Sequence, residues 1–162
     1  MYDVSVRPQS MLFVCTGNTC RSPMAECMAR EIFPDITVSS AGLAGFSGMP
    51  ASEGAIAAMA ARGLSLISHR SRAVSPYLIE GSELVVAMTS SHKRALIAHF
   101  PEFAGKVFTL GELAAPVGQD EAAVLAEIND PYGLPVEVYT DTANAIEKLL
   151  FALAAKLPCA QA

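Results

Sequence analysis

The sequence lacks any tract of clustered basic residues and any apolar run long enough to span a bilayer. Its 162 residues carry 11 basic and 16 acidic side chains, for a net charge of −5, which argues against a nucleic-acid partner. A membrane-spanning helix needs about 18 consecutive apolar residues, and residues 1–10 also lack the hydrophobic region of a signal peptide. We therefore expect a cytoplasmic protein that binds neither nucleic acid nor membrane.

Metal-binding and nucleotide-binding motifs are missing as well. There is no CxxC pair, no HExxH motif and no GxxxxGK[ST] loop, and the three histidines are scattered. The spacing therefore indicates neither a zinc site nor a Walker-type site, and we expect no metal and no other cofactor. In a cytoplasmic chain the cysteines are not expected to form a disulfide framework, so a reactive thiol is the more interesting alternative. The four cysteines are Cys15, Cys20, Cys27 and Cys159.

Short apolar segments alternate with helical patterns along the chain. The composition, 52% hydrophobic and 17% charged, is typical of a folded domain, and neither repeats nor a linker divide it. Strands are predicted at 11–15, 36–39, 83–88 and 106–110. Helices are predicted at 23–33, 51–62, 90–100, 119–127 and 136–157, with Ser22 as the N-cap and Pro23 as the first residue of the first one.

This alternation predicts βαβ units and a parallel sheet. We expect one α/β domain at 11–158, between a flexible leader at 1–10 and a tail at 159–162. Three layers follow from that arrangement, because helices cover both faces of a parallel sheet.

A cysteine stands at the end of the first predicted strand, in the stretch VCTGNTCRSP at 14–23. In an open parallel sheet, ligands bind beyond the carboxyl ends of the strands. The following loop leads into a helix N-terminus, where unpaired amides bind tetrahedral oxyanions, and Gly17 and Asn18 tolerate the left-handed angles such a loop needs. Cys15 would be held there as a thiolate, and Arg21 would grip two phosphate oxygens. The pattern predicts a phosphate-binding nucleophile; a small buried cysteine is the alternative.

These residues resemble the active-site loop of the low-molecular-weight protein-tyrosine phosphatases, which runs Cys-x5-Arg-Ser near the N-terminus. The resemblance extends over nearly all of 11–157 and implies a four-stranded parallel sheet flanked by helices, with the loop between strand 1 and helix 1. The stretches that carry it, in the family's order, are VCTGNTCRSPMAE at 14–26, SAG at 40–42, HRSR at 69–72, MTSSHK at 88–93 and DPYG at 130–133.

The resemblance also implies the roles of the site residues. Cys15 would attack phosphorus and form a phosphocysteine, while Asp130 would protonate the leaving group and later act as base for water. Loop amides and Arg21 would stabilise the equatorial oxygens, and Ser22 would donate a hydrogen bond to the Cys15 thiolate. The phosphate-binding loop would comprise Thr16, Gly17, Asn18, Thr19, Cys20 and Ser22, with Ser40 and His69 supporting Asn18.

Two positions bear on the substrate. Tyrosine-directed members commonly carry a bulky aliphatic residue where this chain has Thr19, and often two aromatic residues after Asp-Pro, where this chain has only Tyr132. That combination resembles the bacterial protein-arginine phosphatase branch. A hydroxyl-bearing wall suits a planar phosphoguanidinium, on which Tyr132 would stack. We favour protein phosphoarginine as substrate, with inorganic phosphate as product, and keep phosphotyrosine as the alternative.

Two other functions are weaker alternatives. Arsenate reductases of similar fold need further thiols near the middle of the chain, and none occurs between Cys27 and Cys159. A catalytically silent phosphate-binding module is also conceivable. The presence of Cys15, Arg21 and Asp130 together argues against it.

Two side chains near the loop allow further predictions. Cys20 follows Cys15 by five residues on a curled loop and would form a reversible disulfide with it under oxidation; simple packing under the loop is the alternative. His92 and Lys93 are interpreted as a solvent-exposed helix start.

Overall fold

The computed structural model describes residues 2–3, 5–116 and 126–160. The strands are β1 (Ser10–Cys15), β2 (Thr37–Gly42), β3 (Leu84–Ala87) and β4 (Val107–Thr109). The α-helices of the described residues are α1 (Arg21–Ile32), α2 (Glu53–Ala60), α3 (Pro76–Glu80), α4 (Ser90–His99), α5 (Leu110–Ala114) and α6 (Val136–Lys156), with a 3-10 helix at Pro101–Lys106. None of these helices is long and apolar enough to cross a membrane.

Most predicted elements are confirmed with shifts of a few residues at their ends. The largest shift is in β2, which continues to Gly42 instead of ending at residue 39. Two short helices, α3 and α5, and the 3-10 helix were not predicted. The predicted helix at 119–127 falls mainly outside the described residues, and its last two residues, 126–127, are not helical.

The four strands form one parallel sheet in the order β2-β1-β3-β4. The predicted four-stranded parallel sheet with flanking helices is therefore confirmed. Because β1 lies between β2 and β3, the chain leaves it toward β2 and later crosses back to β3. Cys15 ends β1 at this switch point, where open α/β sheets bind their ligands.

The apolar run of β1 reflects burial on both faces of the sheet. Met11 and Phe13 pack with α1, α2, α5 and α6 on one face. Leu12 and Val14 pack with α3 and α4 on the other. Alternate side chains of a strand point to opposite faces, so a strand between two helical layers has to be apolar throughout. The loop after Cys15 is thereby fixed to the most rigid part of the molecule.

The start of α1 differs from the prediction. Ser22 was expected as the N-cap and Pro23 as the first helical residue, but the helix begins at Arg21 with Cys20 in the N-cap position. Ser22 does not cap the helix because its hydroxyl contacts Cys15 Sγ, at 3.0 Å, inside the loop. Pro23 then stands third in the helix, where its missing N–H still breaks no intrahelical bond.

Residues outside the predicted domain limits also make contacts. The Arg7 guanidinium, in the predicted leader, donates to both carboxylate oxygens of Asp35, at 2.6 and 2.7 Å, and to the Pro158 carbonyl at 2.9 Å. These bonds connect the start of the chain to the segment after α6. The limits of the domain and the flexibility of the leader stay predictions.

Candidate active site

The loop between β1 and α1 directs its carbonyl groups outward. The carbonyls of Cys15, Thr16 and Thr19 accept hydrogen bonds from the amides of Leu43, Ala44 and Ser52, respectively, at 2.8–3.0 Å. By contrast, the six amides of residues 16–21 donate no hydrogen bond within the described part of the chain. A curved row of unpaired amides at a helix N-terminus is a site for a tetrahedral oxyanion.

Two backbone features allow the loop to curl this tightly. Asn18 has a φ of 56°, in the left-handed region that asparagine tolerates better than most residues. Gly42, at the end of β2, lies directly against the loop. A Cβ at that position would come within 2.8 Å of the Thr16 carbonyl oxygen and 3.0 Å of the Asn18 amide nitrogen, so only glycine fits.

A buried relay of hydrogen bonds leads from the loop to the sulfur of Cys15. Ser22 Oγ lies 3.0 Å from Cys15 Sγ. The Asn18 side-chain amide donates to Ser22 Oγ and to Ser40 Oγ, both at 2.9 Å, and its oxygen accepts the Arg72 amide at 3.0 Å. Every polar atom of the buried Asn18 side chain therefore has a partner.

The carboxylate of Glu26, at the end of the relay farthest from Cys15, decides which group donates in each of its hydrogen bonds. Ser40 Oγ is bonded to the carboxylate of Glu26, and an ionised carboxylate can only accept. Ser40 therefore gives its proton to Glu26 and accepts from Asn18. Because Asn18 also donates to Ser22, the single proton of Ser22 can go to Cys15 Sγ at 3.0 Å or to the Ala41 carbonyl at 3.5 Å, and the sulfur is the nearer acceptor. The relay presents a hydrogen-bond donor to the sulfur, which stabilises a thiolate.

The backbone of Asn18 is held as firmly as its side chain. His69 Nε2 donates to the Asn18 carbonyl at 2.7 Å. Ser40 and His69 thus lie where the sequence predicts support for Asn18, although the functional roles themselves stay predictions. Arg72 adds a further contact that the sequence did not indicate, since its Nε donates to the Ser40 carbonyl at 3.0 Å.

Arg21 and Asp130 meet at the edge of the loop. Arg21 is buried, its Nη1 donates to the Ile128 carbonyl at 3.0 Å, and its Nη2 lies 3.3 Å from Asp130 Oδ2. Arg21 Nε is buried and has no partner among the described residues, so it remains available to a ligand in the loop. The Asp130 side chain is 53% exposed, and its Oδ1 accepts the Tyr132 amide at 3.2 Å.

A cavity of about 550 Å³ opens above the loop. Cys15 and Arg21 lie at its floor, and the exposed aromatic rings of Phe46 and Tyr132 stand at its rim. Thr19 forms part of the wall. The charged lining residues are Arg21, Glu53 and Asp130, so two carboxylates face one guanidinium. The site combines an anion nest at the bottom with acidic groups nearer the mouth.

A family model described as low molecular weight phosphotyrosine protein phosphatase matches residues 10–161. The chain belongs to this family. Its members are hydrolases that act on phosphorylated proteins, which confirms the predicted class of enzyme. The family match includes all four strands of the sheet as well as the loop.

The relatives of this phosphatase include proteins named as arginine phosphatases and proteins named as tyrosine phosphatases. A protein-arginine-phosphatase of Geobacillus stearothermophilus is 39% identical over 95% of this chain and 99% of its own. A probable low molecular weight protein-tyrosine-phosphatase EpsP of Ralstonia solanacearum is 33% identical over 86% of this chain and 90% of its own.

One solved relative bears on the mechanism. It is a cysteine-to-serine mutant of the YwlE arginine phosphatase with a phosphorylated active-site serine. That structure has a TM-score of 0.82 and 34% identity, covering 90% of this chain and 93% of its own. A phosphoryl group on the residue that replaces the cysteine is consistent with a cysteine phosphoenzyme in this family.

Cys20 lies in the floor of the phosphatase cavity together with Cys15, and both thiols are free. Cys20 Sγ contacts Ser52 Oγ at 3.2 Å and the Tyr139 hydroxyl at 3.6 Å. These contacts tie the loop to α2 and α6. A disulfide with Cys15 stays a prediction.

The expectation that His92 is exposed to solvent is wrong. His92 is 7% exposed, and its Nε2 lies 2.9 Å from Thr16 Oγ1. The cause is topological: β3 pairs with β1, so the N-terminus of α4 lies beside the phosphate loop. The sequence signal is Thr89, the N-cap, whose hydroxyl accepts the His92 amide at 3.1 Å and so fixes His92 in the first turn of α4. Lys93, also expected in solvent, pairs with Glu112 at 2.7 Å.

His92 should make the stability of the phosphatase sensitive to acid. Burial, and then repulsion from Arg21, lower the pKa of His92 to about 4, and the opposing attraction of Asp130 and Glu127 does not compensate. An unfolded histidine titrates near 6.5. The stability gained from neutral His92 is therefore complete above pH 6.5 and is lost as the pH falls toward 4. We expect the urea midpoint of the wild type to fall between pH 6.5 and 4.5 more steeply than that of His92→Gln.

The control for this experiment is His99→Gln. His99 is an exposed histidine at the end of the same helix, so that variant should follow the wild-type pH profile. Identical slopes for wild type and His92→Gln would show that the buried imidazole is not responsible.

Proposed function

We propose that this phosphatase removes the phosphoryl group from phosphoarginine side chains of proteins through a phosphocysteine on Cys15. The observation that carries the proposal is the position of the Cys15 sulfur, 3.0 Å from Ser22 Oγ and beside a loop whose six amides have no acceptor among the described residues. The protein then acts in the cytoplasm, where thiols stay reduced. Its partners are phosphorylated proteins, and inorganic phosphate is the product.

In the first step the Cys15 thiolate attacks phosphorus, and a sulfur–phosphorus bond forms. The bond from phosphorus to the guanidinium nitrogen breaks, and its electron pair stays on that nitrogen. Asp130 supplies the proton that the nitrogen takes up. The loop amides and Arg21 Nε, which have no other partner in the described residues, hold the equatorial oxygens.

In the second step water attacks the phosphocysteine. Asp130, now ionised, accepts a proton from that water, and the sulfur–phosphorus bond breaks to release phosphate. The electron pair returns to Cys15 Sγ. The proton direction fixed by Glu26 and Ser40 leaves the Ser22 hydroxyl to stabilise the returning thiolate.

The charges of the cavity support an arginine-derived substrate. A phosphoguanidinium places a cationic plane just above its phosphoryl group, and the two carboxylates of Asp130 and Glu53 line the same cavity. Thr19 offers a hydroxyl where tyrosine-directed relatives commonly offer an alkyl chain. Tyr132, 70% exposed at the rim, can stack on the plane.

The substrate is tested by comparing kcat/KM on phosphoarginine and phosphotyrosine peptides. We expect the wild type to favour phosphoarginine by at least about ten-fold, since an unmatched polar group in the pocket costs that much. Thr19→Ile should move the ratio toward phosphotyrosine by a similar factor. Thr37→Ile, on the exposed start of β2, is the matched control and should leave the ratio unchanged. A wild type that prefers phosphotyrosine, with a ratio insensitive to Thr19→Ile, would reject phosphoarginine in favour of the alternative.

A further inference from the structure

A second cavity, of about 380 Å³, lies behind the phosphate loop. Its walls come from α1, from β2 and from the segment 65–72, which contains the HRSR sequence. Of that sequence, His69 and Arg72 make contacts that hold the phosphate loop, whereas Arg70 has no part in the mechanism. Its charged lining residues are Glu26, Arg30, Arg70 and Arg72, and Ser65 and Ser68 add hydroxyl groups.

The charge of this rear cavity is opposite to that of the whole chain. Three guanidinium groups and one carboxylate line it, whereas the chain as a whole has a net charge of −5. The one carboxylate, Glu26, is already paired with Arg30 and bonded to Ser40. Arg70 and Arg72 form no ion pair within the described ranges. The rear cavity therefore holds uncompensated positive charge.

Some N–H groups of Arg70 and Arg72 donate to backbone carbonyls, and these bonds hold both side chains in place. Arg70 Nη1 donates to the carbonyls of His69, at 2.7 Å, and Ile67, at 3.2 Å. Arg72 Nε donates to the Ser40 carbonyl at 3.0 Å. Their other nitrogens find no acceptor among the described residues. A planar guanidinium that is held in place and still has free N–H groups matches the geometry of phosphate oxygens.

We propose that the rear cavity is a second anion site, for a small phosphate compound with more than one negative charge. Arg70 and Arg72 would bind its oxygens, and the hydroxyls of Ser65 and Ser68 would add neutral donors. The volume exceeds that of a single phosphate ion, so a diphosphate or a phosphate ester fits. The proposal does not depend on which phosphorylated side chain the active site prefers.

The rear cavity is connected to the catalytic loop through shared walls. Ser40 and His69 line it and also hold Asn18. An anion bound there would add negative charge behind the thiolate and the substrate phosphate. An anion bound in either cavity therefore weakens the binding of an anion in the other.

The test is the stoichiometry of pyrophosphate binding, measured by titration calorimetry. The wild type should bind two pyrophosphate ions, one in each cavity. Arg70→Gln should bind one, with the second affinity weakened at least ten-fold. It should retain its kcat and KM on p-nitrophenyl phosphate, because among the described residues the Arg70 side chain donates only to the carbonyls of residues 67 and 69. The matched control is Arg94→Gln, an exposed arginine on α4 outside the rear cavity, which should still bind two.

Arg21→Ala complements this design by removing the active-site ion and leaving the rear one. A single pyrophosphate in the wild type, or two in Arg70→Gln, overturns the proposal. Failure of the phosphoarginine assay would leave this result untouched, so the two proposals are judged separately.

Discussion

A Cys15→Ser variant is expected to lose turnover of every phosphorylated substrate, by about four orders of magnitude or more. A serine hydroxyl stays protonated at neutral pH, and the relay through Ser22 donates a hydrogen bond to position 15 instead of removing a proton from it. The serine hydroxyl is then a much weaker nucleophile than a thiolate. A phosphoserine like that of the YwlE mutant has an alkoxide as leaving group in the second step, so it is not turned over. Rates on p-nitrophenyl phosphate and on phosphoarginine peptides measure the loss.

Cys27→Ser is the matched control. Cys27 is a half-buried cysteine on α1 whose thiol donates to the Ser65 carbonyl on the rear side of the loop. That variant should keep wild-type rates, and Cys15→Ser should still bind tungstate because the amides of the loop are intact. Full activity in Cys15→Ser would exclude the phosphocysteine mechanism. Activity that is absent in the wild type as well would instead favour a silent phosphate-binding module.

The second large effect is expected at Asp130. Asp130→Asn should lower kcat on phosphoarginine by about 10²- to 10⁴-fold, the usual contribution of a general acid–base group. The asparagine side chain cannot give the proton that the leaving nitrogen needs. The loss should be smaller when p-nitrophenolate leaves, because that anion departs without a proton, and only the activation of water is then impaired.

Dependence on the leaving group separates a proton donor from a residue that only positions Arg21. Asp130 Oδ2 lies 3.3 Å from Arg21 Nη2, so a purely positional role would weaken tungstate binding and reduce both rates equally. We expect tungstate binding to be retained. Asp141→Asn, on the exposed side of α6, controls for loss of a surface carboxylate and should be neutral.

The sequence was most informative where local chemistry decides the structure. The short apolar run at 11–15 indicated a strand, and Gly17 and Asn18 indicated a loop with a left-handed residue, which Asn18 proves to be. Cys15 and Arg21, close together on the chain, were therefore placed in one site without any tertiary information. Asp130 came only from the family resemblance, because Asp-Pro by itself indicates no more than a turn.

The failures concern residues whose surroundings come from distant parts of the chain. Ser22 followed the local rule for an N-cap, but its contact with the Cys15 sulfur overrides that rule. His92 followed the pattern of an exposed helix start, and only the pairing of β3 with β1 buries it beside Thr16. The Glu26–Ser40–Asn18 connection joins α1, β2 and the loop, so no local pattern contains it.

The placement of Asn18 and Ser22 has a consequence for how such an enzyme evolves. These supporting side chains are fully buried and bonded to one another, whereas Phe46 and Tyr132 at the rim are 83% and 70% exposed. Because the side chains of Phe46 and Tyr132 are exposed, their replacement leaves the buried contacts around the Cys15 sulfur in place while it changes the surface that meets the leaving group. Replacements at Phe46 and Tyr132 can thus change which substrate is accepted without disturbing the buried contacts that hold the loop.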